Sequence, residues 1–96
     1  MPATLTVDSE APRTVRLLNI SLGGACVEVA PPPALGSPVT LEVTTPILWD
    51  PLVIRATIAW CGSAESGATR AGMQFHLHHR SALKNLIELL GAERFE

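Results

Sequence analysis

The sequence predicts an all-β fold: a closed or nearly closed antiparallel barrel of about six strands, followed by one C-terminal α-helix. Three observations carry this. Short segments of alternating apolar and polar residues recur through the first three quarters of the chain. Gly- and Pro-bearing breaks separate them at short, regular intervals. One late stretch then changes to helical spacing, with Leu83, Leu86, Ile87 and Leu90 on a single stripe. That stripe needs something to cover, most simply a barrel face or an open end.

The segment Ala3 to Val7 is rich in β-branched residues, and Asp8 to Pro12 reads as a turn. Thr14 to Ile20 alternates weakly, which puts Val15, Leu17 and Asn19 on one face and Arg16, Leu18 and Ile20 on the other. Gly23-Gly24 breaks the pattern. Ala25 to Ala30 directs Ala25, Val27 and Val29 one way and Glu28 to solvent. Pro31-Pro32-Pro33 removes consecutive backbone donors and must lie outside any sheet interior, with Gly36 ending the loop. Pro38 to Thr44 alternates cleanly, with Val39, Leu41 and Val43 inward. Pro46 to Pro51 is a connection carrying Trp49 and Asp50. Leu52 to Trp60 sets Leu52, Ile54, Ala56, Ile58 and Trp60 on the inward face. After a polar loop, Gly62 to Ala68, the segment Ala71 to Leu77 closes the β region with Ala71, Met73, Phe75 and Leu77 inward. Ser81 suits a helix N-cap and Gly91 a C-terminal stop. The expected barrel covers about residues 3–78 and the helix about 82–90, within one domain spanning 1–96.

Composition narrows the function classes. Seven basic residues face nine acidic ones for a net charge of −2, so no overall field favours a phosphate backbone. With only four aromatics for base stacking (Trp49, Trp60, Phe75 and Phe95), a barrel that binds DNA or RNA is disfavoured. The N-terminal ten residues lack a basic stretch followed by an apolar run, and the apolar runs elsewhere are short. No secretion signal and no membrane insertion are therefore expected, and the expected location is cytoplasmic. Cys26 and Cys61 read as reduced thiols packed as small hydrophobes. His76, His78 and His79 read as solvent-facing strand-end histidines, not as a metal site. No Gly-x-Ser-x-Gly elbow, phosphate loop or nucleophile–base pair is present, and the acids are scattered, so no enzyme activity, metal or cofactor is expected.

The most informative stretch is Asn19-Ile20-Ser21-Leu22-Gly23-Gly24. An amide and a hydroxyl two residues apart on an extended segment project to the same side and can reach one ligand. Glycines behind them would give a tight turn and let a ligand approach the backbone. An ordinary strand end, with both side chains bonded to their own turn, would carry the same residues.

Asn19-x-Ser21-x-x-Gly24, with Gly23 doubling the glycine, resembles the (Asp/Asn)-x-Ser-x-x-Gly signature of the PilZ family. Gly36 before an alternating strand, Ala59-Trp60 at a strand end, Gly72-Met73-Gln74-Phe75 and the leucine-rich helix resemble that family's later elements in order, from about Val15 to Leu90. The resemblance implies a six-stranded antiparallel PilZ-like β-barrel that recognises cyclic di-GMP through this turn and an Arg-x-x-x-Arg motif before the first barrel strand. Such arginines suit a dianionic dinucleotide, because forked guanidiniums grip phosphates and stack on bases. No Arg-x-x-x-Arg occurs in the sequence. The nearest pair, Arg13 and Arg16, is one residue too close and faces opposite sides of its strand. Arg70 is a second candidate donor. Trp60 reads either as barrel core or as a stacking platform for a guanine. The expected ligand set is thus Asn19, Ser21, Gly23, Gly24, Arg13, Arg16, Trp60 and Arg70. The function expected from the resemblance is a PilZ-type module in cyclic-di-GMP regulation, with weak or no ligand binding and an unidentified protein partner. Trp49 and Phe95 are candidate contact points for that partner. The alternative is a genuine cyclic-di-GMP receptor with non-standard arginines.

Overall fold

The structure is a computed structural model that describes residues 2–8, 10–44, 51–63, 67–77, 84 and 86–90. The alternating segments form β1 (Pro2–Val7), β2 (Arg13–Ile20), β3 (Gly24–Glu28), β4 (Pro38–Val43), β5 (Leu52–Ser63) and β6 (Thr69–His76). They close into a barrel of order β1-β2-β3-β6-β5-β4, every pair antiparallel, with β4 returning to β1. Closure removes the free sheet edges that an open sheet of this size would present. The six-stranded antiparallel barrel expected from the alternation is the observed fold.

Inward residues fall into cross-strand rows. Leu5 on β1 pairs with Leu41 on β4, which pairs with Ile54 on β5, and all three are fully or almost fully buried. Ala25 on β3, Met73 on β6 and Ile58 on β5 form a second row. Each of the larger side chains in these rows (Leu5, Leu41, Ile54, Ile58 and Met73), taken out of water, contributes roughly 1.5–3 kcal/mol of hydrophobic stabilisation. The helix, described at residues 84 and 86–90, adds Leu86 and Leu89 to this core, with Leu90 partly buried against it. Ile87, expected on the apolar stripe, is 52% exposed instead, and Leu89 takes the buried place. Ser81, Leu83 and Gly91 lie outside the described residues, as do Trp49, Asp50, His78, His79 and Phe95.

Two bulges depart from simple alternation. On β2 the pairing to β3 slips between Leu17 and Asn19. Leu17 stays inward opposite Val27, and Ile20 packs against the core opposite Ala25. Asn19 is thereby turned outward and exposed, correcting its expected place on the face of Val15 and Leu17. On β5 the pairing to β6 slips between Ile58 and Trp60. Trp60, expected to follow Ile58 into the core, is turned out and is 47% exposed.

Strand ends also differ from the sequence expectation. β3 stops at Glu28, but Val29 remains tied to β6: its N–H donates to the Thr69 carbonyl at 3.0 Å, and the Thr69 hydroxyl donates to its carbonyl. β5 runs on to Ser63, so Gly62 is strand and not loop, and β6 opens at Thr69. Ile58 lies one residue past the β4–β5 ladder, which ends at Thr57. Its backbone groups are satisfied by the preceding loop, from Gly36 N–H at 2.8 Å and to the Ser37 carbonyl at 3.0 Å. Gly36 holds φ +81, a left-handed conformation that a β-carbon disfavours, which is why this turn takes glycine.

Candidate nucleotide-binding surface

Both bulges serve one region of the barrel's outer surface. The β2–β3 turn is closed by the Ser21 N–H donating to the Gly24 carbonyl at 2.8 Å, with the Ser21 hydroxyl 3.4 Å from the same oxygen. The Gly23 carbonyl accepts from the Phe75 N–H at 2.9 Å, tying the turn to β6. Asn19 and Ser21 both point to solvent beside this turn.

The two glycines have separate local reasons. Gly23 has open space where a β-carbon would stand, and its φ is not left-handed. A β-carbon on Gly24 would come closer than 3.0 Å to the Met73 carbonyl oxygen on β6. Gly24 is therefore required by the close approach of β3 to β6, a packing reason the sequence alone did not indicate.

Across the turn, Trp60 lies over Gly72. A β-carbon on Gly72 would overlap the indole ring, so the glycine makes room for the tryptophan to lie on the sheet. Gly72→Ala should displace the indole and red-shift Trp60 emission, to be read against a Trp49→Phe background. Because the obstruction is a side chain and not backbone, the loss of stability should stay within about 1 kcal/mol by chemical denaturation.

These elements bound an open depression of about 540 Å³, a size within the roughly 300–1,000 Å³ usual for small-molecule sites. Asn19, Ser21, Gly23, Gly24, Trp60 and Arg70 all line it, so six of the eight expected ligand residues come together. Arg13 and Arg16 do not line it. Arg13 instead donates to the Pro31 carbonyl at 2.9 Å, and Arg16 stands on the outer face of β2 opposite Glu28. Among the described residues, Arg70 is the single cation on the wall.

Gln74 and Cys26 also line the depression and were not among the expected ligand residues. Gln74 follows Arg70 and Gly72 on the outward side of β6, a placement the period of two could have indicated. Cys26, 8% exposed, pairs with Asn19 and Gly72 and is buried although it faces outward. Burial pushes its thiol above the ordinary range, and the Arg70 guanidinium pulls the other way. At neutral pH it is a protonated, poorly nucleophilic group. His76 meets the Thr57 hydroxyl at 2.6 Å. Among the described residues no cluster of His, Cys, Asp or Glu could hold a metal ion.

Comparison with known proteins decides the family. A family model described as the PilZ domain matches residues 1–92. The chain belongs to the PilZ domain family. PilZ domains are binding and adaptor modules of cyclic-di-GMP signalling. The crystal structure of the PilZ domain of CeSA, from a cellulose-synthesizing bacterium, superimposes with a TM-score of 0.71 at 21% identity, covering 97% of this chain and 92% of that one. At that identity the likeness concerns the fold. No curated protein matches the chain. No helix among the described residues is long and apolar enough to cross a membrane.

Proposed function

We propose that this PilZ domain is a non-enzymatic adaptor in cyclic-di-GMP-dependent regulation. It acts through protein contacts and by itself holds the dinucleotide weakly. It works in the cytoplasm. The observation that supports weak binding is the lone guanidinium of Arg70 in a depression otherwise lined by neutral groups. A cyclic dinucleotide carries two phosphodiesters, and each charge-assisted hydrogen bond to an anion is worth about 1.5–3 kcal/mol. Two such contacts fewer amount to roughly 3–6 kcal/mol, a loss of two or more orders of magnitude in affinity. Arg13 is engaged by Pro31 and Arg16 stands off the depression, so neither makes up the difference.

Isothermal titration of the purified domain with cyclic di-GMP tests this. The expected dissociation constant is weaker than about 10 µM. Submicromolar affinity would reject the adaptor reading in favour of a receptor with non-standard arginines. One observation favours that second reading: Trp60 and Arg70 stand around the same depression as Asn19 and Ser21. In that case Arg70→Ala and Ser21→Ala should each remove most of the binding.

A further inference from the structure

A charged row crosses the barrel's outer face beside the depression. Strand register sets Arg16 on β2 opposite Glu28 on β3, and Glu28 opposite Arg70 on β6. All three face outward, because their neighbours Val15, Leu17, Val27 and Ala71 are in the core. Residues directly opposite one another in an antiparallel pair have β-carbons roughly 4.5–5.5 Å apart, so the middle carboxylate lies within the fields of both guanidiniums. No ion pair within 4.0 Å joins Glu28 to either arginine, whereas the exposed Arg55 meets Asp8 at 3.3 Å. Glu28 therefore sets a negative charge beside Arg70 without a direct ion pair, which partly offsets the positive potential of the guanidinium.

We propose that Glu28 is a positioning residue whose counter-charge lowers the positive potential Arg70 lends to the depression, and thereby sets how weakly a phosphodiester anion is held there. This rests on the reading that the depression is the site that takes the dinucleotide. It adds that the weakness has a second source besides missing arginines: a carboxylate placed in register with the one cation that remains.

Cys26, two residues before Glu28, makes the proposal testable without a ligand, because its thiol lies in the depression and within the field of Arg70. Of the charged groups nearby, Arg70 on β6 acts on this thiol, while Glu28, two residues along on the same strand, is paired in register to Arg70 and to Arg16 on β2. Following the ¹³Cβ shift of Cys26 against pH at low salt, Glu28→Gln should lower the thiol's titration midpoint, and Arg70→Gln should raise it. Glu42→Gln, on the distant outer face of β4, should leave it unchanged. An unmoved or raised midpoint in Glu28→Gln overturns the proposal.

Isothermal titration with cyclic di-GMP at low salt supplies the second readout. Glu28→Gln should bind roughly threefold more tightly than the parent, and the gain should vanish near 0.5 M salt as screening removes the field. A lowered midpoint with measurable but untightened binding also overturns the proposal. If neither protein binds while the midpoint falls, the dinucleotide reading fails and the electrostatic role of Glu28 stands. The glutamine variant keeps the side chain's shape, and an unchanged thermal midpoint certifies its fold.

Discussion

Gly24→Ala is expected to cost the domain at least about 3 kcal/mol, the upper end of what overpacking costs, and at that level to lower its melting temperature by more than about 12 °C. The added methyl would fall inside contact distance of the Met73 carbonyl oxygen, which is backbone and cannot rotate away. β3 cannot retreat either. Ala25 and Cys26 are paired to Met73 and Gly72, and the turn is pinned by the bond from Phe75 N–H to the Gly23 carbonyl. Relief requires opening the β3–β6 seam, one of the pairings that close the barrel. Thermal denaturation followed by circular dichroism measures the effect, with Gly23→Ala as comparison. That substitution meets nothing within 4 Å and should change stability by no more than about 0.5 kcal/mol. A parental melting temperature for Gly24→Ala would mean that β3 and β6 are not packed this closely. The result also governs how ligand data are read: lost binding in a Gly24 variant would reflect a damaged barrel before it reflected a lost contact.

Leu41→Ala should have a comparable effect, about 3 kcal/mol, from the opposite side of the barrel. Leu41 is fully buried between Leu5 and Ile54, so truncation removes apolar contact on two strands and leaves a cavity in a row that closure holds in place. Against a typical total of 5–15 kcal/mol this is a large fraction, read as a fall in melting temperature of roughly 12–24 °C. Val53→Ala lies one residue from Ile54 on the outer side of β5, 48% exposed, and should cost at most about 0.5 kcal/mol. Equal losses at the two positions would mean that the inward and outward faces of this region are wrongly assigned.

Alternation in the sequence identified the inward residues of β4 and most of β5 and β6 because a two-residue period is a local property of the chain. It failed at Asn19 and Trp60 for one shared reason. A bulge depends on how a strand meets its partner, and nothing in Leu17-Leu18-Asn19 or Ile58-Ala59-Trp60 alone marks the slip. Both errors fell on residues that line the depression, where a strand must turn a polar or aromatic group out of the core. The Asn19–Gly24 motif was legible by resemblance. The role of Gly24 was not, since Met73 lies 49 residues further along the chain. Arg70 and Trp60 could be named as candidates but not placed beside Asn19, because β3 pairs with β6 across the two intervening strands β4 and β5.

By itself the sequence determined the strand-rich class, the polarity of most faces, the family resemblance and the lack of an Arg-x-x-x-Arg motif. Each is carried by neighbouring residues, within the reach of local propensity and hydrophobic period. Only the tertiary structure decided which cation reaches the depression, that Trp60 lies on Gly72 instead of in the core, and that Glu28 is set opposite Arg70. These depend on register between strands distant in the chain. Register is settled when the whole barrel closes around its buried side chains, not by any segment on its own.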